Sequence, residues 1–138
     1  MNHFKPILDQ LDQYELDAML ITSQPGAFYA TGFQGEGAAL VSKTACRYYT
    51  DSRYLEAANR TITGADVVLF SLKSPCKELL AQAVKELGIK RLGFEEDYQT
   101  VSQHKSYQDA LSCTLVPAQK LLSTLRASKD EEEIARMT

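Results

Sequence analysis

A dense group of aromatic, glycine and polar residues stands in the first third of the chain, from Phe28 to Gly37. The glycines at positions 32, 35 and 37 allow the backbone to turn tightly and to approach another surface closely. Aromatic side chains beside such glycines favour a rigid loop that contacts a ligand or a partner protein. The same pattern also fits a tight connection whose aromatic side chains fill the domain's own core. Both interpretations stay open on spacing alone.

The other reactive side chains do not form a catalytic set. His3 and His104 lack a second ligand at metal-binding spacing, and no serine lies in a G-x-S-x-G motif. The acidic clusters Glu95–Asp97 and Asp130–Glu133 are expected to be solvated carboxylates at a strand end and a helix start. The glycine-rich segment precedes a strand and lacks a lysine, which argues against a phosphate loop. We therefore assign no catalytic residue, metal or cofactor to this chain.

The composition is typical of one globular domain. The 138 residues carry 15 Lys and Arg against 18 Asp and Glu, a formal net charge of −3. Because no basic cluster is present, neither nucleic acid nor an anionic membrane is an expected partner. No apolar stretch approaches the ~20 residues that span a bilayer. Three widely spaced cysteines and an N-terminus unlike a signal peptide favour a cytoplasmic protein.

Hydrophobic periodicity predicts the elements that position these residues. Helices are expected over residues 2–11, 53–59, 75–87, 100–111 and 119–126, and strands over residues 17–22, 38–42, 46–50, 66–70, 91–94 and 114–117. The first strand is expected at the buried centre of the sheet, and the second and third form a hairpin. Ser23–Gly26 is interpreted as a turn, and Asp51 or Ser52 as the cap of the following helix. Alternating strands and helices around one hairpin predict an α/β fold with a mixed sheet.

A capping-box pattern at Ser128–Glu131 predicts another helix close to the end of the chain. Only Ile134 and Met137 are large apolar residues within it, and so short a helix is marginal without further contacts. This pattern favours the front part of a longer protein. A frayed natural C-terminus is the alternative.

Five ordered stretches carry a family resemblance. They are Leu16–Thr22, Phe28–Phe33, Tyr49–Tyr54, Leu87–Glu95 and Leu125–Ile134. Together they resemble the N-terminal domain of the creatinase, prolidase and aminopeptidase P family, over nearly the whole chain. The resemblance implies a three-layer α/β/α domain with a mixed sheet of ribonuclease-H-like topology over residues 1–126. Residues 127–138 would begin the linker helix to a C-terminal metallopeptidase domain that this sequence does not contain.

The resemblance also implies a function for the whole protein. It points to a metal-dependent hydrolase that cleaves the bond before proline, in Xaa-Pro dipeptides or at the N-terminus of longer peptides. Two divalent ions (Mn²⁺, Co²⁺ or Zn²⁺), held by two Asp, one His and two Glu, are expected in the C-terminal domain. This fragment alone is then not catalytic. Its expected partners are its own catalytic domain, a second subunit of a homodimer and, in the full protein, proline-containing peptides.

Particular residues match the family's motifs. The segment Phe33, Gln34, Gly35, Glu36 and Gly37 matches a loop that mediates subunit contacts and limits substrate length at the neighbouring subunit's active site. It lacks the arginine that creatinase-like members place there, which argues against creatine-type substrates.

A second group of matching residues, Tyr29, Asp51, Arg53 and Tyr54, is assigned a substrate-binding or structural role. For Arg53, pairing with Asp51 or a nearby carbonyl is an alternative to substrate contact. A non-catalytic binding protein of the same fold is the alternative to a peptidase. A free-standing small α/β enzyme would need a catalytic set, and these residues offer none.

Overall fold

A computed structural model describes residues 3–71, 73 and 75–125 of the chain. The helices are α1 (Phe4–Leu11), α2 (Gln24–Thr31), α3 (Leu55–Thr61), α4 (Cys76–Glu86) and α5 (Val101–Ala110), and residues 119–125 are also helical and are called α6. The strands are β1 (Ala18–Ile21), β2 (Gly37–Ser42), β3 (Cys46–Thr50), β4 (Asp66–Leu69), β5 (Arg91–Phe94) and β6 (Thr114–Pro117). All six strands lie where the hydrophobic pattern predicts them, within about one residue at most ends.

The strands form one mixed sheet in the order β4-β3-β2-β1-β5-β6. The hairpin strand β2 is antiparallel to β1 and to β3, and the other three pairs are parallel. Five strands therefore run in the same direction and end at the same edge of the sheet, where β2 begins. We call this the carboxyl edge. All four residues of β1 are buried, which confirms its predicted central place.

Helices cover both faces of the sheet. Because side chains alternate between the two faces along each strand, β1 contributes to a hydrophobic cluster on each face. Met19 and Ile21 point into one cluster, which holds buried residues of α1, α2, α3 and α6. Ala18 and Leu20 point into the other, where α4 supplies Leu80, Ala83 and Val84. This arrangement confirms the predicted three-layer α/β/α fold.

Helix α2 corrects the interpretation of Ser23–Gly26 as a turn. Ser23 caps the helix, its hydroxyl accepting a hydrogen bond from the Gly26 amide at 3.0 Å. Pro25 lies in the first turn, where its missing N–H costs nothing. Gly32 ends the helix with a left-handed φ of 75°. These are ordinary start and stop signals, but the apolar residues of this helix do not form a single stripe along one face.

Two further expectations are wrong in detail. Helix α3 begins at Leu55 rather than Arg53, and neither Asp51 nor Ser52 caps it, since its N-cap is Tyr54 without a side-chain hydrogen bond. The Asp51 carboxylate is instead occupied by Arg53. Strand β4 is not a buried strand, because it lies at the edge of the sheet, with both terminal residues exposed.

The predicted C-terminal helix with its capping box at Ser128–Glu131, and with it the proposed linker 127–138, lies outside the described residues. Within the described ranges, no helix combines the length and the apolar character needed to cross a membrane.

Candidate functional site at the carboxyl edge

The sheet topology brings most of the predicted site residues together. Arg53 and Tyr54 follow the end of β3, and the segment 33–37 leads into β2, which pairs with β3 through Gly37 and Thr50. Both segments therefore lie at the carboxyl edge, the side on which ligands bind in open α/β sheets. These two segments, which are separated in the sequence by the β2–β3 hairpin, therefore lie side by side.

Arg53 is the charged centre of this surface. The Asp51 Oδ1 atom accepts a hydrogen bond from the Arg53 amide at 3.0 Å. Asp51 Oδ2 accepts from Nε at 3.1 Å and from Nη2 at 2.7 Å. Nη2 also donates to Glu36 Oε2 at 3.0 Å. The pairing of Arg53 with Asp51, one of the two roles expected from the sequence, is therefore present, and Glu36 is a second partner that was not anticipated.

These contacts shift the ionisation of both partners. Hydrogen bonding from Arg53 lowers the pKa of Asp51 below its ordinary value. Asp51, and then Glu36, raise the pKa of the Arg53 guanidinium. The Arg53 side chain is nevertheless 64% exposed and that of Glu36 58%. Exposed ion pairs contribute roughly 0 to 1 kcal/mol, so a carboxylate from another molecule could replace Glu36 at small cost.

The segment 33–37 has a buried anchor and an exposed tip. Phe33 is only 7% exposed and packs edge-on against Tyr48 and Tyr54, with ring centroids 5.9 and 6.3 Å apart. The Thr50 hydroxyl donates a hydrogen bond to the Glu36 carbonyl at 2.8 Å. Gln34 and Glu36 point into solvent. Phe33 thus fills the domain's own core, while the two polar side chains remain accessible.

A groove of about 450 Å³ runs between α2 and this segment. Its lining residues are Gln24, Pro25, Phe28, Gln34, Gly35 and Tyr54. Phe28 is 47% exposed there, and the Arg53 guanidinium carbon lies 5.3 Å from the centre of the Tyr54 ring. An aromatic surface between two side-chain amides suits an apolar group attached to a peptide backbone.

Tyr29 is not part of the groove. Its ring stacks on His3, with centroids 4.2 Å apart, and its carbonyl lies 2.6 Å from His3 Nδ1. Burial raises the pKa of the Tyr29 phenol. These contacts tie the end of α2 to the N-terminal segment, which favours the structural role that was expected as an alternative to substrate binding.

Glu95 is the residue near this site whose surroundings the sequence pattern misses. It was expected to be a solvated carboxylate, but it is 1% exposed. It accepts hydrogen bonds from the amides of Thr22 and Ser23, which lie 73 and 72 positions earlier in the chain, at the start of α2. No local pattern reveals such a contact, because it depends on β5 lying beside β1 in the sheet.

A second groove, of about 760 Å³, lies between Asp51, Leu69 and Cys76. Its described lining also includes Phe70, Lys73 and Pro75, and we assign it no role. Among the described residues, no three His, Cys, Asp or Glu side chains converge closely enough to hold a metal ion.

Comparison with known proteins agrees with this architecture. Residues 5–128 match the family model described as the creatinase/prolidase N-terminal domain. The chain is 36% identical over 124 residues to the uncharacterized peptidase YqhT of Bacillus subtilis, a match that covers 88% of this chain and 35% of that protein. This chain thus spans about a third of that curated relative.

Solved structures show the same fold. The Xaa-Pro dipeptidase from Bacillus anthracis superposes with a TM-score of 0.83 at 31% identity, covering 89% of this chain and 34% of that one. The N-terminal domain of the cytoplasmic peptidase PepQ from Mycobacterium tuberculosis gives a TM-score of 0.78 at 28% identity, covering 88% of this chain and 96% of that one. The second structure consists of the N-terminal domain alone, so a unit of this size forms the fold independently.

Proposed function

Since the chain belongs to the creatinase/prolidase N-terminal domain family, we propose that it is the N-terminal domain of a metal-dependent Xaa-Pro peptidase. The family match over residues 5–128, nearly the whole described fold, carries this proposal. The complete protein hydrolyses the bond before proline, in dipeptides or at the N-terminus of longer peptides. The name of the Bacillus anthracis relative, an Xaa-Pro dipeptidase, supports this substrate class.

Hydrolysis is assigned to a C-terminal domain outside this sequence. The described residues contain no set that fits a metal ion, and we place no step of the reaction on them. Two divalent ions, Mn²⁺, Co²⁺ or Zn²⁺, bound by two Asp, one His and two Glu of that domain, would supply Lewis-acid chemistry. The contribution of this chain is then to control access to that centre.

The segment 33–37 is the part of this chain that we assign to that control. In a homodimer it would lie at the mouth of the neighbouring subunit's active site and limit the length of the substrate. Its geometry supports the proposal, because the Phe33 anchor holds the loop against the core while Gln34 and Glu36 stay exposed. A loop with a fixed base and a polar tip can exclude long peptides without closing the mouth of the active site completely.

The groove beside this loop provides a surface for the peptide itself. Phe28 and Tyr54 offer aromatic contact to an apolar side chain or a proline ring, and Gln24 and Gln34 offer amides to the peptide backbone. Arg53 lies next to the groove, where its exposed guanidinium can exchange Glu36 for a peptide carboxylate. We expect the protein to act in the cytoplasm, as the name of the PepQ relative states for that protein.

The experiment that tests the proposed activity compares two proteins. The complete protein, purified with Mn²⁺, Co²⁺ or Zn²⁺, is expected to hydrolyse an Xaa-Pro dipeptide, and the 138-residue chain alone is expected to be inactive under the same conditions. Metal-dependent hydrolysis by the short chain would contradict the assignment of chemistry to the missing domain. A complete protein that binds prolyl peptides without cleaving them would instead favour the non-catalytic binding protein.

A further inference from the structure

The turn after β5 contains a buried acid with an unusual number of partners. Glu95 Oε1 accepts hydrogen bonds from the amides of Thr22 at 2.7 Å and Ser23 at 2.9 Å. Oε2 accepts one from the Ser23 hydroxyl at 2.5 Å. Glutamate is almost never fully buried unless it is paired, and here three donors from one short segment stabilise the carboxylate. Glu95 thereby joins β5 to the connection between β1 and α2.

The same contacts determine where α2 begins. The Ser23 hydroxyl that donates to Glu95 also accepts a hydrogen bond from the Gly26 amide at 3.0 Å. A Cβ atom on Gly26 would lie 2.7 Å from Ser23 Oγ and 2.8 Å from Glu95 Oε2. The first turn of α2 therefore rests directly on the carboxylate, and only glycine allows the helix to come so close.

Three residues of α2, namely Gln24, Pro25 and Phe28, form one wall of the groove at the carboxyl edge. We propose that Glu95 is the positioning residue of this groove: by fixing the start of α2, it sets the distance between that wall and Gln34 on the opposite side. The link to substrate length rests on the proposed function, whereas the effect on α2 does not.

The charge of Glu95 matters as well as its size. A carboxylate presents two acceptor oxygens to the amides and the hydroxyl at the positive end of α2. A glutamine has nearly the same volume, but it presents one oxygen, and its NH₂ group would face the Ser23 hydroxyl. The Glu95→Gln variant therefore keeps the packing and removes one part of the contact.

Glu96 offers a matched control one residue further on. Its Oε1 accepts a hydrogen bond from the Gln119 amide at 2.7 Å, at the start of α6. Among the described residues, Glu96 makes no hydrogen bond or ion pair to α2. Glu96→Gln thus changes a hydrogen bond between a carboxylate and a backbone amide in the same turn of the chain, but the helix concerned is α6 and not α2.

The test measures amide hydrogen exchange and backbone chemical shifts in the 138-residue chain. Glu95→Gln is expected to speed exchange of the Thr22 or Ser23 amides at least about tenfold, because a neutral amide oxygen accepts more weakly than a carboxylate. Ser23→Ala is expected to speed exchange of the Gly26 amide, which loses its acceptor, and both variants are expected to shift resonances through α2 as far as Phe28. Glu96→Gln is expected to affect Gln119 and leave α2 unchanged. Unchanged α2 resonances in both of the first two variants would overturn the proposal. The resonances of residues outside α2 report whether each variant is folded, so an unfolded variant is recognised in the same spectra.

Kinetics of the complete protein separate this proposal from the proposed function. Glu95→Gln is expected to alter KM for a longer Xaa-Pro peptide several-fold more than KM for a dipeptide, and Glu96→Gln to alter neither. If α2 shifts in the exchange experiment and the two KM values change equally, Glu95 positions α2 but the groove does not select substrates. If α2 does not shift, the positioning role itself is wrong.

Discussion

Arg53 and Glu36 lie 17 positions apart in the chain, yet Nη2 of the arginine is 3.0 Å from Oε2 of the glutamate. The contact joins the loop before β2 to the loop after β3 at the carboxyl edge. Since Asp51 Oδ2 accepts hydrogen bonds from Nε and from the same Nη2, the arginine holds two acidic side chains beside the groove. The accessible surface around the aromatic groove is therefore polar and acidic. A carboxylate from another molecule can replace that of Glu36 on the arginine.

The first prediction concerns the ionisation of Asp51. Because Arg53 lowers its pKa in the folded state, the contribution of this pair to stability is present above the ordinary value of 3.8 and is lost as the pH falls through the lowered value. NMR titration of the carboxylate should therefore show a midpoint below 3.8. Arg53→Gln should move the midpoint up.

Asp17 provides the control for this titration. Backbone hydrogen bonds from Arg91 and Lys90 lower its pKa, and Arg53 takes no part. Its midpoint should stay the same in Arg53→Gln. An Asp51 midpoint that does not respond to the substitution would contradict the described pairing.

The second prediction compares two phenylalanines on opposite sides of the groove. Phe33 is 7% exposed and Phe28 is 47% exposed. Phe33→Ala is expected to lower the free energy of unfolding by about 3 to 5 kcal/mol, as for other buried aromatic residues. Phe28→Ala should lower it by only about 1 kcal/mol, because nearly half of this side chain already faces water. Urea denaturation of the two variants measures both values, and equal losses would contradict the buried anchor.

The third prediction concerns Gly37, where a Cβ atom would lie 2.4 Å from the Tyr49 carbonyl and 2.7 Å from the Tyr48 hydroxyl. Tyr48 is fully buried, which raises its pKa to about 12 and leaves its ring little room to move. Gly37→Ala should destabilise the domain by about 1 to 3 kcal/mol.

Gly88→Asn is the matched control, since nothing lies within 4 Å of that position and asparagine tolerates its left-handed φ of 64°. This substitution should lower the free energy of unfolding by less than about 1 kcal/mol. A loss of stability in Gly37→Ala no larger than that in Gly88→Asn would contradict the tight packing of Gly37 against Tyr48.

The fourth prediction addresses the thiols. Burial raises the pKa of Cys46 and Cys113, and raises that of Cys76 to about 11. At pH 8 about one Cys76 in a thousand is then a thiolate, the reactive form. All three cysteines should react slowly with an aromatic disulfide reagent in the native protein and rapidly in urea. A native thiol that reacts at its unfolded rate would mark a site that the described contacts do not account for.

The strands were predictable because each one is marked by a pattern of apolar residues within a few consecutive positions. The central strand β1 and the hairpin follow from continuous apolar runs and a three-residue link, and the structure contains both. The contact between Arg53 and Asp51 was also foreseeable, because the two residues lie two positions apart and an aspartate there can accept from the following backbone.

The remaining features depend on chain folding over long distances. Helix α2 has caps but no clear apolar stripe, so its first residues resemble a turn. Glu95 carries the pattern of a surface acid, and only the pairing of β5 with β1 brings it to Ser23, 72 positions away. The groove likewise combines α2 with the loop before β2, and each taken separately resembles an ordinary connection.

Substitution of the two exposed loop residues in the complete protein tests the central claim most directly. Deleting residues 33–37 would remove the Phe33 anchor and the first residue of β2, whereas Gln34→Ala with Glu36→Gln leaves both in place. The measurement is kcat/KM for an Xaa-Pro dipeptide and for a longer peptide with the same first two residues. We predict that the ratio of the two values shifts at least about threefold, a change of roughly 0.6 kcal/mol in relative transition-state binding. An unchanged ratio, with both substrates still hydrolysed, would contradict the role of this domain in selecting substrate length.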